Sequence, residues 1–202
     1  MSTLIYYLRH AQSLHDSSKK TGDWHLTEHG YKQANKLADI LAQINFAEIY
    51  SSPYLRCLET IAPYCKKNKL DYQCLDQLKE RQLVLSYNKK NYQEIHRKSW
   101  IYFSFSLPGC ESSKSAQERI LATLKHIAAV HTGKQVLVSG HGQLLALALN
   151  YLNKSFGFNE QRTLLNPDLK IFKFQDDFLE VYEDPMQLDQ EIRKIAVPPV
   201  RF

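Results

Sequence analysis

Short apolar runs that stop at a histidine are the clearest pattern in this chain. The run TLIYYL (3–8) ends just before an arginine and His10, and the run QVLVS (135–139) ends just before a glycine and His141. Continuous apolar runs of this length, rich in β-branched and aromatic residues, are typical of strands that are buried on both faces. We therefore predict two buried strands whose carboxyl ends each present a histidine.

Helical spacing dominates the segments between the apolar runs. Ala34, Leu37, Ala38 and Leu41 recur at three- and four-residue intervals after Thr27, which is a good helix N-cap. The same reasoning predicts a strand at 47–51, a helix from Pro53 to about Lys67, a short strand at 71–75, a helix from Ser112 or Ser113 to Val130, a helix to about Leu152, and strands at 169–174 and 178–182. Strands that alternate with helices predict an α/β fold, a three-layer α/β/α sandwich around a mostly parallel sheet.

Two segments lack a clear hydrophobic period. One is a polar and aromatic stretch that begins at Leu78 and runs to about Leu107, and the other is a polar tail at 183–202. No repeat, low-complexity segment or linker interrupts the rest of the chain. We therefore predict a single domain over 1–202 in which 183–202 is a C-terminal tail.

Composition and charge exclude several classes of protein. The formal charge of +5 is spread along the 202 residues without a basic arm, which argues against nucleic-acid binding and suits small anionic substrates. No apolar run is long enough to cross a bilayer, and the chain lacks a secretory pattern, so we expect a cytoplasmic protein that does not bind membranes. The four cysteines lack metal-ligand spacing and are expected to be buried, inert thiols; they are Cys57, Cys65, Cys74 and Cys110.

Two arginines extend the pattern at the strand ends. Arg9 precedes His10, and Arg56 falls in the first turn of the helix after the second strand. Ligands of open α/β sheets bind beyond the carboxyl ends of the strands, so these side chains are expected to converge with His141. Guanidinium groups present a planar fork of donors that matches phosphate oxygens. The convergence of two arginines and two histidines therefore predicts a site for a tetrahedral phosphate.

The segments that carry these residues resemble the histidine phosphatase (phosphoglycerate mutase-like) superfamily, in the order that the family shows them. LRHAQS (8–13) resembles its RHG signature with alanine in the last place, and VSGHG (138–142) resembles its second histidine motif. Four other segments resemble family motifs: LTEHG (26–30), SSPYLRCLET (51–60), LKER (78–81) and PGCES (108–112). Together they cover most of the chain.

The resemblance implies a two-step phosphoryl transfer in which neutral His10 attacks phosphorus and water then releases phosphate. It assigns Arg9, Arg56 and a protonated His141 to the stabilisation of the transferring group. It also selects Glu80 as the general acid and then base, ahead of the rival carboxylates Asp76, Glu94 and Glu111.

Further phosphate contacts are expected near both histidines. Ser13 offers a hydroxyl, and Gly142 begins a helix whose backbone N–H groups can bind phosphate. Asp16 stands where many relatives carry asparagine, and a carboxylate there repels the substrate unless it turns away. No metal and no cofactor is required, because the arginines supply the positive charge.

We interpret the chain as a phosphoric monoester hydrolase of the histidine acid phosphatase type that acts on a small phosphorylated metabolite, such as α-ribazole phosphate or a sugar phosphate. The alternatives are a cofactor-dependent phosphoglycerate mutase, a phosphohistidine protein phosphatase, and an inactive phosphate-binding scaffold. The aromatic segment 84–107 either covers the pocket or belongs to the core. The apolar end of the tail suggests a homodimer.

Overall fold

A central sheet of six strands organises the computed structural model, which describes residues 1–16, 18–85, 89–176, 178–184 and 186–199. The strands are β1 (Ser2–Arg9), β2 (Glu48–Ser51), β3 (Gln73–Cys74), β4 (Gln135–Gly140), β5 (Asp168–Gln175) and β6 (Phe178–Tyr182). Their order across the sheet is β3-β2-β4-β1-β5-β6. The first four strands in this order pair in parallel, whereas β5 is antiparallel to β1 and β6 is antiparallel to β5. The predicted mostly parallel sheet is confirmed.

Helices cover both faces of the sheet, which explains why its strands read as continuous apolar runs. The described helices are α1 (Glu28–Leu41), α2 (Leu55–Asn68), α3 (Lys89–Ile101), α4 (Ser113–Val130), α5 (Gly142–Leu152) and α6 (Leu188–Ile195). Tyr6 and Leu8 of β1 pack in one core with α1, α2 and α6. Ile5 and Tyr7 alternate with them and pack on the other face with α4 and α5. The three-layer sandwich is therefore confirmed.

Side-chain caps mark the starts of two predicted helices. The hydroxyl of Thr27 accepts a hydrogen bond from the Gly30 backbone N–H at the start of α1, and Ser112 caps α4 through Ser115 in the same way. Helix α2 begins at Leu55, two residues after Pro53, and Arg56 lies in its first turn as predicted. In the part of the chain that the structure describes, we find no helix long and apolar enough to cross a bilayer.

Three elements differ from the sequence-based prediction. Segment 78–107, which lacks a clear period, contains α3, whose Trp100 is buried in the core. The polar tail contains α6, an eight-residue helix that buries only Leu188 and Ile192. The strand predicted at 71–75 is reduced to the two residues of β3.

The cysteines are not all buried, as the sequence analysis expected. Cys57 and Cys65 are buried, but Cys74 is exposed and Cys110 is half-buried. All four are free thiols. The prediction of buried thiols is therefore wrong for two of them, because β3 lies at the edge of the sheet and residues 107–110 form a surface turn.

The register of two parallel neighbours brings the histidines together. Arg9 of β1 pairs with Gly140 of β4, so the next residue of each strand is a histidine. The backbone N–H of His10 donates to the Gly140 carbonyl at 3.0 Å. The two imidazole rings lie beside each other, with centroids 5.4 Å apart.

Candidate active site

A cavity of about 1000 Å³ opens at the carboxyl ends of the parallel strands. Its wall includes six of the seven residues that the sequence analysis assigned to the site: Arg9, His10, Ser13, Arg56, Glu80 and Gly142. The seventh, His141, is fully buried and lies behind this wall against His10. The predicted convergence is therefore observed, although His141 does not itself line the cavity.

The hydrogen-bond partners of its two ring nitrogens hold His10 in one tautomer. Nδ1 lies 2.7 Å from the Ala11 carbonyl oxygen, which can only accept, so the proton resides on Nδ1. Nε2 accepts a hydrogen bond from Arg56 Nε at 3.2 Å. Burial, reinforced by Arg56 and Arg9, lowers the pKa of His10 well below its ordinary value. The ring is therefore neutral near pH 7 and carries a lone pair on Nε2, as a nucleophile requires.

Aromatic rings and a carbonyl fix the guanidinium of Arg56. Its Cζ lies 5.5 Å from the ring centroid of Trp24 and 5.0 Å from that of Tyr54. Nη1 donates to the Thr21 carbonyl at 2.5 Å. Cation–π contacts of this kind strengthen when they are desolvated, and Arg56 is buried. The side chain is thus preorganised beside His10 before any anion binds.

The guanidinium of Arg9 occupies the space that a side chain at position 142 would fill. A Cβ added to Gly142 would lie 2.7 Å from both Cζ and Nε of Arg9. Arg9 Nη1 donates to the carbonyls of Leu164 and Leu165, at 2.9 and 3.1 Å. Arg9 Nε is buried and has no hydrogen-bond partner among the described residues. Gly142 is therefore needed for the position of Arg9, a role that the sequence analysis did not anticipate.

His141 is packed into a polar pocket of the sheet. Its Nε2 lies 2.8 Å from Ser52 Oγ, and its backbone N–H donates to Tyr7 Oη at 3.0 Å. Burial, with Arg56 and His10 nearby, lowers the pKa of His141 well below its ordinary value. Desolvation and neighbouring positive charge thus both disfavour the cation, whereas a phosphate beside the ring would favour it, so a protonated His141 stays a prediction for the reacting complex.

Both carboxylate oxygens of Glu80 accept backbone hydrogen bonds at the cavity wall. Oε1 accepts from the Arg81 N–H at 3.0 Å and Oε2 from the Gln143 N–H at 3.1 Å. The second bond uses an N–H of the first turn of α5, where the sequence analysis expected phosphate contacts. That expectation is corrected for Gln143, whose N–H is already engaged.

The rival carboxylates lie elsewhere. Asp76 pairs with Lys79, Glu111 pairs with Arg119, and Glu94 is exposed on α3. None of these three carboxylates lines the cavity. Among the four carboxylates considered, Glu80 is therefore the one that lines the cavity.

Asp16 turns away from the cavity. Its carboxylate accepts hydrogen bonds from the backbone N–H and the hydroxyl of Ser18, at 2.9 and 2.5 Å, and these bonds lower the pKa of Asp16. Asp16 does not line the cavity, whereas Ser13 does. The carboxylate therefore avoids the repulsion of a phosphate that its position in the motif suggested.

The aromatic residues of 84–107 divide between the two roles left open. Tyr92 lines the cavity, where its hydroxyl accepts from Gln143 Nε2 at 3.1 Å. Trp100 and Phe103 pack in the core, and Tyr102 is exposed. Phe105 is half-buried under Lys98, and Tyr87 lies outside the described residues.

Several cavity residues were not anticipated. Arg81 is only 3% exposed yet lines the cavity, and Asn166 Nδ2 donates to the His10 carbonyl at 2.8 Å. His15, Trp24 and Arg162 also lie on the wall. The LKER motif could have indicated Arg81, but nothing in the sequence distinguishes the others from surface residues.

Within the described ranges, no group of three or more histidine, cysteine, aspartate or glutamate side chains could hold a metal ion. The positive charge of the cavity comes from arginine and lysine instead. Its wall carries seven of these residues against two carboxylates. Such an excess raises the local concentration of small anions.

Comparison with solved structures gives the same fold. A phosphoglycerate mutase from Bacillus anthracis is similar over 95% of this chain and 97% of its own, at 21% identity and a TM-score of 0.72. Bacillus stearothermophilus YhfR is similar over 90% and 96%, at 20% identity and a TM-score of 0.75. A phosphoserine phosphatase from Entamoeba histolytica is similar over 90% and 95%, at 19% identity and a TM-score of 0.73.

Identities this low establish the shared fold but no shared substrate. Among curated proteins, none matches the chain. The family model of the histidine phosphatase superfamily (branch 1) matches residues 5–182, which include both histidines, both arginines and Glu80. The chain therefore belongs to the histidine phosphatase superfamily, branch 1.

Proposed function

We propose that this protein hydrolyses small phosphomonoesters through a phosphohistidine formed on His10. The geometry around His10 is the observation that carries the proposal. Its Nδ1 proton is directed to the Ala11 carbonyl, and its Nε2 lone pair faces the Arg56 guanidinium in a cationic cavity. The nucleophilic atom, His10 Nε2, is thus in direct contact with an anion-binding guanidinium.

In the first step, His10 Nε2 attacks phosphorus as the bond from phosphorus to the ester oxygen breaks. When the anion binds, the Nε–H of Arg56 donates to a phosphoryl oxygen instead of to His10 Nε2. The lone pair on Nε2 is then free to attack. The buried Nε of Arg9, without a partner among the described residues, supplies a second donor. Both guanidiniums act on the charge of the three equatorial oxygens rather than as reactants.

Glu80 moves the proton in both steps of the proposal. The leaving alkoxide takes a proton from the Glu80 carboxyl, and the carboxylate then accepts one from the attacking water as the bond from phosphorus to Nε2 breaks. Its backbone hydrogen bonds to Arg81 and Gln143 hold it at the cavity wall. His141 as a phosphate donor stays a prediction, because its buried ring must first gain access to the cavity.

The cavity is large enough for a metabolite-sized substrate. A volume of about 1000 Å³ is at the upper end of small-molecule sites, which range from about 300 to 1,000 Å³. α-Ribazole phosphate and sugar phosphates remain candidate substrates. We further propose a cytoplasmic enzyme of the histidine acid phosphatase type that requires neither metal nor cofactor; a homodimer also stays a prediction.

Hydrolysis of p-nitrophenyl phosphate in the presence of EDTA tests the proposal. We expect turnover by the wild type and its loss in His10→Ala, with His126→Ala, an exposed histidine of α4, as the matched control. Rapid quenching with radiolabelled substrate should trap acid-labile phosphate on the wild type but not on His10→Ala. Equal turnover by wild type and His10→Ala would refute the proposal.

An assay of the wild type with 3-phosphoglycerate distinguishes a hydrolase from a mutase. With 3-phosphoglycerate, we expect release of inorganic phosphate whether or not 2,3-bisphosphoglycerate is present. Isomerised product without free phosphate would replace the hydrolase with a mutase, and the absence of any turnover or phosphohistidine would favour a phosphate-binding scaffold.

A further inference from the structure

The cavity extends beyond the residues around His10 to a second group of nitrogen donors. We call this group the distal cluster and define it as Arg81, His96 and Arg162, all of which line the cavity. Helix α3 contributes His96, and the turn between α5 and β5 contributes Arg162. No step of the proposed phosphoryl transfer uses these three side chains.

Arg81 is a buried cation with an unused donor. Its Nη1 donates to the hydroxyls of Ser99 and Ser113, at 3.1 and 2.9 Å, and its Nε donates to the Glu111 carbonyl at 3.0 Å. Its Nη2 is buried and has no hydrogen-bond partner among the described residues. Because a buried guanidinium without a full set of acceptors is costly, an anion in the adjoining cavity would stabilise it.

His96 presents a neutral donor beside Arg81. Its Nε2 accepts from Trp100 Nε1 at 3.2 Å, so the proton of the neutral ring lies on Nδ1. No acceptor for Nδ1 is found in the described part of the chain. Burial, with Arg81 and Arg162 nearby, lowers the pKa of His96 to about 4, which keeps the ring neutral at pH 7.

Arg162 completes the cluster from the turn between α5 and β5. Its guanidinium lies 5.6 Å from the ring centroid of Phe158, and this ring lies 5.3 Å from that of His96. No carboxylate of the described residues forms an ion pair with Arg162. The cluster therefore offers two guanidinium groups and an imidazole N–H as donors, and the adjacent Phe158 ring can contact the carbon atoms of a ligand.

Two hydrogen bonds and a ring contact connect the distal cluster to the reacting end of the cavity. Glu80 accepts from the Gln143 backbone, and the Gln143 amide donates to the hydroxyl of Tyr92. The ring of Tyr92 lies 5.6 Å from that of His96. Glu80, Gln143, Tyr92 and His96 line one continuous cavity, which gives a substrate with its ester oxygen at Glu80 a path towards the cluster.

We propose that the distal cluster binds a second anionic group of the substrate, so that the preferred substrates are small phosphomonoesters that also carry a carboxylate or a second phosphate. This inference rests on the proposed phosphatase function and specifies its substrate class. Both anions share the recognition chemistry, namely several nitrogen donors of which two belong to guanidinium groups.

Matched substrate pairs test the inference. 3-Phosphoglycerate and glycerol 3-phosphate differ by a carboxylate, and fructose 1,6-bisphosphate and fructose 6-phosphate differ by a phosphate. We expect the wild type to have a kcat/KM on the order of tenfold higher for the more anionic member of at least one pair. The pair that shows the preference identifies the second anion.

Arg162 is the residue to change, because Arg81 is hydrogen-bonded in the interior and its loss would endanger folding. Arg162→Gln should remove most of the preference, and Arg162→Glu should reverse it. Arg97→Gln is the matched control, since Arg97 is an exposed arginine of α3 that does not line the cavity. It should retain the wild-type ratio of kcat/KM within each pair.

Calorimetric titration of the wild type with 3-phosphoglycerate and with glycerol 3-phosphate separates this inference from the proposed function. If no substrate is hydrolysed but 3-phosphoglycerate binds more tightly in an Arg162-dependent manner, the phosphatase assignment fails and the distal cluster stands. If p-nitrophenyl phosphate is hydrolysed but neither pair shows a preference, or Arg162→Gln and Arg97→Gln behave alike, the distal cluster is refuted and the phosphatase stands.

Discussion

Replacement of Gly142 by alanine should separate activity from stability. The added Cβ would lie 2.7 Å from Cζ and Nε of Arg9, whereas ordinary contact begins at 3.4 Å. The guanidinium must therefore move by about 0.7 Å, judged from these two contact distances. A displacement of about 1 Å in a group that positions the substrate can cost about 10²-fold in rate, or about 2.7 kcal/mol of barrier.

The same substitution should leave the fold intact. The atoms that must yield lie at the end of a flexible side chain, and alanine is a better helix former than glycine by up to about 1 kcal/mol. We therefore expect kcat/KM for p-nitrophenyl phosphate to fall about 10²-fold, while the melting temperature stays equal to that of the wild type or rises. Gly157→Ala is the control, because its added Cβ would meet no atom closer than 3.5 Å and Gly157 does not line the cavity.

A double-mutant cycle identifies the cause. If Gly142→Ala acts through Arg9, it should have little further effect in an Arg9→Ala background, since the displaced group is already absent. Full activity of Gly142→Ala, or an equal loss of activity with and without Arg9, would refute the steric argument.

Three further predictions address the proton, the histidines and the tail. Glu80→Gln should lower kcat for an alkyl phosphate by about 10²- to 10⁴-fold but lower it far less for p-nitrophenyl phosphate, whose leaving group needs little protonation; equal losses in steady-state assays would contradict a proton-transfer role. His10, His96 and His141 are buried with lowered pKa values, whereas the unfolded chain titrates near pH 6.5, so acid favours the unfolded state. Stability should be fully present above pH 6.5 and should fall by about 1 kcal/mol per histidine between pH 6.5 and 5.5, so urea unfolding that is independent of pH over this range would contradict neutral burial. Ile192→Ala should lower the free energy of unfolding by about 2 to 5 kcal/mol, because Ile192 is fully buried against the sheet; a loss below about 1 kcal/mol would show that α6 is dispensable for stability.

Strands that are buried on both faces were predictable because burial leaves an unbroken apolar run. β1 and β4 were found this way, and their histidines could be placed at one edge of the sheet before the pairing was known. The antiparallel addition of β5 and β6 was not predictable, because strand direction depends on contacts between residues far apart in the chain. Helices α3 and α6 were missed because each buries few residues, which leaves a weak period.

The candidate site was predictable where chemistry and strand position coincide. His10, Arg9 and Arg56 follow from that combination, and Glu80 follows only from its motif. Arg81 was missed because an arginine is seldom fully buried, so its sequence position suggested a surface residue. The lowered pKa of His141 was also not predictable, since desolvation depends on packing that no local pattern reveals.

The carbonyl of His10 is held by Asn166, and the backbone of Asn166 pairs in both directions with Val197, at 2.8 and 2.9 Å. Residues far apart in the sequence therefore support the same loop. A nascent polypeptide that has emerged only as far as α6 lacks Val197, whose backbone pairs with that of Asn166. We expect the backbone of the nucleophile to reach its final orientation only once Val197 has been synthesised and has paired with Asn166.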